Sequence, residues 1–217
     1  QARTASALEP TMVGDRDPGG IARHAPQAGA VSVERRFPPG ETYRKYRGPG
    51  QRDLLLERAR AGELVNQIVR IVEAEGPIHQ EILLERLKEL NGVDRVGANV
   101  QRNVERAIAV AVSRGRLAQR VDDFLRLPGA EVRVFRLPDD GVMRSLAQIA
   151  PEEIARAVLY KVEDQFGYQR DALPRAVAEL LGFDRLPSGG AEIVGTVVDS
   201  LVERGILMVS GPYMYVA

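Results

Sequence analysis

Arginine and asparagine side chains recur at helical spacing between residues 95 and 106 of this 217-residue chain. Because positions three or four apart share one face of a helix, these side chains lie opposite Val100, Val104 and Ile108. The five residues of this polar face are Arg95, Asn99, Arg102, Asn103 and Arg106. Guanidinium groups neutralise phosphates and amides hydrogen-bond base edges, so the pattern is typical of a helix that contacts nucleic acid. A solvated face in an arginine-rich protein is the alternative.

Three more arginines follow the same helix and extend the candidate binding site. They are Arg114 and Arg116 at the end of the helix and Arg120 in the segment after it. The chain as a whole has no net charge, so a polyanionic partner is indicated only by this local cluster and not by composition.

The elements that must hold this helix in place follow from apolar spacing and from glycine and proline. A helical pattern begins at Asp53 and stops at Gly76-Pro77, a second ends at Asn91-Gly92, and a third spans about 97–114. Residues 117–127 and 132–137 are predicted as two strands, joined by a turn at Pro128-Gly129. Three helices followed by a hairpin is the order of a winged helix.

The same order is repeated in the second half of the chain. The third helix ends in Ser113-Arg114-Gly115-Arg116-Leu117 in the first copy and in Glu203-Arg204-Gly205-Ile206-Leu207 in the second. The predicted fold class is mainly α with small β-hairpin wings (α+β), as tandem winged helix-turn-helix units. The predicted domains are an extended or linker-like basic arm over 1–52, a first unit over 53–144 and a second over 145–217.

The two copies differ in charge. The third helix of the second copy carries Glu192, Asp199 and Glu203 against Arg204. Phosphates repel an acidic helix, so the second unit is predicted to pack against or dock another protein. The arm is rich in Pro, Gly and basic residues, which indicates either a solvated linker or a segment lying along a partner or a phosphate backbone.

Few residues could support catalysis. The chain has no cysteine and only two histidines, His24 and His79, so no metal site is predicted; His79 is expected to cap a helix or to be buried. A phosphate-binding loop of the G-x-x-x-x-G-K-[ST] type is missing, and no cofactor is predicted. The chain is therefore expected to be non-catalytic. The sequence also lacks a bilayer-spanning apolar run and a signal peptide, which predicts no membrane contact and a cytoplasmic location.

Two stretches carry a family resemblance. They are IVEAEGPIH over residues 71–79 and IAPEEIARA over 149–157, the latter followed by Leu180-Leu181-Gly182-Phe183. Together they resemble the uncharacterised C-terminal domain of large bacterial helicase-related proteins of superfamily I. The resemblance implies a bacterial, helicase-associated context in which an ATP-dependent helicase or nuclease activity belongs to other domains of a larger chain. A start at Gln1 instead of Met also indicates a fragment.

Two functions are favoured by the sequence, and a nuclease subunit is a third and weaker alternative. The first is a nucleic-acid-binding accessory module whose first winged helix contacts DNA, with RNA as the alternative ligand. The second is a protein-interaction or dimerisation module without nucleic-acid contact, in which a homodimer is the simplest assembly.

Overall fold

Amphipathic helices and very short strands build the protein. The computed structural model describes residues 36–119, 122–139 and 142–217. The elements up to residue 137 are β1 Glu41–Thr42, α1 Asp53–Leu56, α2 Ala61–Glu75, β2 Ile78–His79, α3 Gln80–Asn91, α4 Ala98–Ser113, β3 Ala118–Gln119, β4 Phe124–Arg126 and β5 Arg136–Leu137. Those after it are α5 Pro151–Asp164, β6 Tyr168–Gln169, α6 Leu173–Leu180, α7 Gly190–Glu203, β7 Leu207–Ser210 and β8 Tyr213–Val216.

The mixed α+β class predicted from the sequence is confirmed. We call α1–α4 with β2, β3 and β4 the first unit, and α5–α7 with β6, β7 and β8 the second unit. Each has its own aliphatic core and one three-stranded antiparallel sheet, in the order β2-β4-β3 and β6-β8-β7. In each sheet the strand before the second helix pairs with the last strand of the unit.

Corresponding residues of the two units are 90 positions apart. The second helical segment ends at a left-handed glycine in both units, Gly92 and Gly182, and the third helix is followed by another such pair, Gly115 and Gly205. Side chains strongly disfavour this conformation, so the four glycines fix equivalent turns. The buried positions of α4 and α7 follow the same spacing.

The first hairpin differs from its prediction. Residues 117–127 form both strands, β3 and β4, and not one strand. The chain reverses just before β4, where Asp123 adopts a left-handed conformation with φ 61°; aspartate tolerates this region better than most residues. The turn at Pro128-Gly129 comes after the sheet, and β5 pairs in parallel with β1. The second hairpin turns at Gly211-Pro212, between β7 and β8.

The described part of the basic arm, residues 36–52, belongs to the folded protein. Tyr43 is 1% exposed and its hydroxyl donates a hydrogen bond to Glu75 at 2.7 Å. The Gln51 amide donates to the Asn91 side chain at 2.8 Å. Burial of this kind excludes a solvated linker for these residues. The prediction for residues 1–35 lies outside the described ranges, and so does His24.

Buried charges hold the two units together. Glu75, at the end of α2, is fully buried and accepts from Tyr43 and from the Arg86 guanidinium at 2.6 Å. Glu153, in the first turn of α5, is also fully buried and accepts from Arg136 and Arg144. Arg136 also donates to the carbonyls of Glu75 and Pro77, so this network links the end of α2 to the start of α5.

Candidate nucleic-acid interface

Helix α4 carries most of the residues predicted to bind nucleic acid, and its burial pattern decides which of them reach solvent. One face packs into the first core through Val100, Val104, Ala107, Ile108 and Ala111. The remaining face points away from the core, as the apolar spacing predicts. The helix is anchored mainly against α2.

Four predicted arginines lie exposed on or next to this outer face. They are Arg95, Arg102, Arg106 and Arg114. None of them makes an ion pair with a residue that the structure describes. Asn99 is exposed beside them and donates weakly to the Leu56 carbonyl at 3.4 Å. The group therefore presents guanidinium charge that no described carboxylate neutralises directly.

Asn103 does not belong to this surface, which corrects its predicted role. It is 9% exposed, and its amide donates to the Leu55 carbonyl at 3.0 Å. Asn103 follows Arg102 directly, and one step along the chain rotates it by about 100° around the helix, towards the core. Its amide satisfies a carbonyl near the end of α1 and is not available to a ligand.

The two arginines after the helix have separate positions. Arg116 is half-buried and its guanidinium donates to the Asn66 side chain of α2 at 2.7 Å, so its charge faces a neutral partner. Arg120 lies outside the described residues.

Arg58 is an exposed arginine that sequence reasoning missed. It lies in a short 3-10 helix, Arg58–Arg60, and lines a cleft between the start of α2 and α4. Arg106 and Arg114 line the same cleft, around an apolar floor that includes Leu64 and Val65. Only the packing of α2 against α4 brings Arg58 to these residues, some 50 positions away in the chain. We call Arg58, Arg95, Arg102, Arg106 and Arg114 the basic surface.

Carboxylates limit this surface on two sides. Glu57 lines the cleft beside Arg58, and Asp94 precedes Arg95. Glu105 lies on the neighbouring stripe of α4, where it accepts a hydrogen bond from Gln101 at 3.0 Å. The uncompensated charge is thus a stripe along α4 that leads into the cleft, and not a broad basic face.

The equivalent positions of α7 have a different chemistry. At the 90-residue spacing, Glu192 stands where α4 has Arg102, and Thr196 where it has Arg106. Ile193 occupies the position of Asn103. Asp199, farther along α7, is paired with Arg170 at 2.6 Å. The two units therefore share backbone architecture, and Arg95 and Arg114 correspond to Arg185 and Arg204, whereas Arg102 and Arg106 have no arginine counterpart in the second unit.

Neither a metal site nor a bilayer-crossing segment is evident in the described ranges. Among these residues, no three His, Cys, Asp or Glu side chains are grouped so as to bind a metal ion. Their helices are also too short or too polar to cross a membrane. His79 caps α3, its Nδ1 accepting from the Glu81 amide at 3.3 Å, as one of its two predicted roles requires.

Comparison with known proteins gives one match. The profile of a family described as "Protein of unknown function (DUF3320)" matches residues 53–102, which span α1, α2, α3 and the beginning of α4. The matched segment contains Arg58, Arg95 and Arg102. No curated protein and no solved structure matches the chain.

Proposed function

We propose that this chain is a nucleic-acid-binding accessory module of a bacterial helicase-related protein, built from two winged-helix units. The first unit contacts DNA through the basic surface. In helix-turn-helix proteins the recognition helix lies in the major groove, and we assign this role to α4. The arginines of the cleft contact phosphates beside the groove.

The difference between α4 and α7 carries this proposal. Two helices with similar burial patterns differ at two exposed positions, where Arg102 and Arg106 of α4 correspond to Glu192 and Thr196 of α7. Folding alone does not require arginine at the solvent-exposed positions of either helix, so it does not account for this difference. Arg102 and Arg106, which have no ion partner among the described residues, lie on α4, the helix that would contact phosphates in this proposal.

The helicase association is supported by the resemblance of residues 71–79 and 149–157 and not by any active-site residue. The match over residues 53–102 concerns an uncharacterised family and is compatible with this context. In the proposal, ATP hydrolysis belongs to other domains of a larger chain, and this module brings those domains to DNA.

A salt titration of DNA affinity tests the proposal. Fluorescence anisotropy with duplex and forked DNA would compare the 217-residue protein with the double variant Arg102→Ala, Arg106→Ala between roughly 50 and 200 mM salt. Each phosphate contact contributes about 0.9 to the slope of log K against log salt. We expect the slope to fall by about two and the affinity at least tenfold at low salt. The same measurement with duplex RNA of the same sequence shows which of the two nucleic acids the protein prefers.

The matched control removes the same charge from the other unit. Arg185→Ala with Arg204→Ala changes two exposed arginines next to α7. This control should keep both slope and affinity. Equal losses in the two double variants would mean that only net charge matters, and an unchanged slope in the α4 variant would refute the proposed contact.

A protein-interaction module is the second candidate function. It is favoured by the sheet of the second unit, where Met208, Tyr213 and Tyr215 are 54%, 40% and 37% exposed. Large apolar side chains grouped on one sheet are typical of a surface that another protein covers. This function is compatible with DNA binding, because the sheet and the basic surface lie on different units.

A further inference from the structure

We propose that strand β7 is the contact between two copies of this chain, which pair antiparallel to form one six-stranded sheet. This inference specifies the partner for the second candidate function and does not depend on DNA binding. It follows from three properties of β7: an open edge, an uncharged sequence and a register that is its own complement.

Among the residues that the structure describes, strand β7 is the edge of its sheet, in the order β6-β8-β7. The Ala217 amide donates to the Ile206 carbonyl at 3.0 Å, so Ile206 directs its backbone towards β8. Since backbone direction alternates along a strand, Met208 and Ser210 also bond to β8, while Leu207 and Val209 direct their N–H and C=O groups to the open edge. This edge offers two donors and two acceptors in a row.

The sequence of β7 lacks the features that normally protect an edge. Its residues are Leu207, Met208, Val209 and Ser210, with Met208 54% and Val209 46% exposed. Proteins usually place lysine, another charge, proline or a bulge on such a strand. In the first unit the corresponding strand, β3, is preceded by Arg116. Ile206 takes the place of that arginine in the second unit, so the residue before β7 carries no charge.

One antiparallel register satisfies every outward group of β7. Centred on Met208, it places Leu207 opposite Val209 of the second copy and Val209 opposite Leu207 of the second copy. Each of these two pairs exchanges two hydrogen bonds. An identical strand supplies the complement because the contact has two-fold symmetry. Glu203 and Arg204 precede β7, so in this register the charges of the two copies lie at opposite ends and do not repel one another.

The same register joins the apolar sheet faces. Met208 pairs with Tyr215 within its own sheet and would meet Met208 of the second copy at the symmetry axis. A continuous strip of two methionines and two Tyr215 rings results. In the first sheet, Ala118 stands at the position of Met208 and pairs with Arg126, whose guanidinium contacts Glu152 of α5 at 2.7 Å. The first sheet is therefore covered at this position by α5 of the same chain, and in the proposed dimer the second sheet is extended by another copy.

Cysteine cross-linking tests the register directly, because the chain has no cysteine of its own. Residues opposite each other in a non-hydrogen-bonded antiparallel pair have Cα atoms about 4.5 Å apart, a distance that a disulfide can bridge. We expect Met208→Cys to form a covalent dimer under mild oxidation. The matched control is Met143→Cys, at a methionine that is 86% exposed and distant from β7 in sequence, and it should form no covalent dimer under the same oxidation.

Sedimentation over a concentration series completes the experiment. The wild-type protein should dimerise, and Val209→Lys should raise the dissociation constant at least about tenfold by bringing two charges into the contact. Circular dichroism verifies that this variant is folded. A dimer that the Met208→Cys variant does not trap covalently would overturn the β7 contact while dimerisation as a function survives. A monomer at every concentration would overturn both.

Discussion

Arg136 and Glu153 form an ion pair that joins strand β5 to the first helix of the second unit. The Arg136 Nε donates to Glu153 at 3.0 Å, and its terminal nitrogens donate to the carbonyls of Glu75 and Pro77 at the end of α2. One guanidinium group therefore contacts both units. Arg136 and Arg144 also lie over the Tyr43 ring, at 4.7 and 4.5 Å from its centroid. This arrangement leads to the first prediction.

Glu153→Gln is expected to destabilise the protein by roughly 3–5 kcal/mol, because two arginines would remain buried without their carboxylate. Urea unfolding at neutral pH measures this loss. Glu179→Gln provides the control: it breaks the exposed pair with Arg175 and should cost about 0.5 kcal/mol or less. Similar losses in both variants would contradict a structural role for the buried network.

Tyr43→Phe is expected to change the response of stability to alkaline pH. Burial, and then the Glu75 carboxylate, raise the pKa of the Tyr43 hydroxyl above its ordinary value of about 10. A raised pKa means that this contribution to stability is complete below pH 10 and is lost as pH rises towards the folded-state value.

The difference in unfolding free energy between wild type and Tyr43→Phe should therefore be constant from pH 7 to about 10 and shrink above it. At neutral pH it should be about 1.5–3 kcal/mol, since the hydroxyl donates to a charged group. Tyr213→Phe, at an exposed tyrosine, should keep the wild-type profile. If the difference in unfolding free energy stayed constant up to about pH 12, ionisation of Tyr43 would not be linked to folding.

Asn103→Ala separates the structural residues of α4 from the proposed ligand contacts. It removes the hydrogen bond to the Leu55 carbonyl and should cost about 1–3 kcal/mol in urea unfolding. DNA affinity at a temperature where the variant is folded should stay within about twofold of wild type. If Asn103 contributed about 1.4 kcal/mol to binding, its loss would weaken the affinity tenfold. A large loss of DNA affinity without a loss of stability would contradict this prediction and would mean that Asn103 contacts DNA.

Two glycine substitutions test the packing of the arm. A Cβ at Gly50 would lie 1.8 Å from the Leu90 carbonyl oxygen, whereas a Cβ at Gly62 meets no atom within 4 Å. Gly50→Ala should destabilise the protein because backbone must move, and Gly62→Ala should stabilise helix α2 by about 0.5–1 kcal/mol. Thermal unfolding of the two variants gives opposite shifts if residues 36–52 dock as described. A harmless Gly50→Ala would mean that this segment is displaced in solution.

Much of the local structure could be predicted from sequence. Apolar spacing located α2, α3 and α4, and the glycines at 92, 115 and 205 marked the ends of helices. The repeat itself was evident from the two Arg-Gly phrases. The first hairpin was placed wrongly because Pro128-Gly129 is the stronger turn signal, while the actual reversal depends on the left-handed Asp123.

The candidate site was predictable only in part. Residue spacing predicts which side chains share one face of a helix, but it does not predict which residues of other elements lie beside that face. Spacing identified Arg95, Arg102 and Arg106, but it could not bring Arg58 beside them, since that depends on how α2 packs on α4. It also assigned Asn103 to the solvated side, since only the position of the Leu55 carbonyl determines where that amide points.

The sequence by itself determined the two helical units, their 90-residue spacing and the contrast in charge between α4 and α7, because these depend on residue type and on the periodicity of a single helix. Only the tertiary structure decided that residues 36–52 are part of the fold, that Arg136 bridges both units, and that β7 is left as an open edge. Those features arise from contacts between residues far apart in the chain, whose free energies depend on burial and mutual geometry that local spacing does not encode.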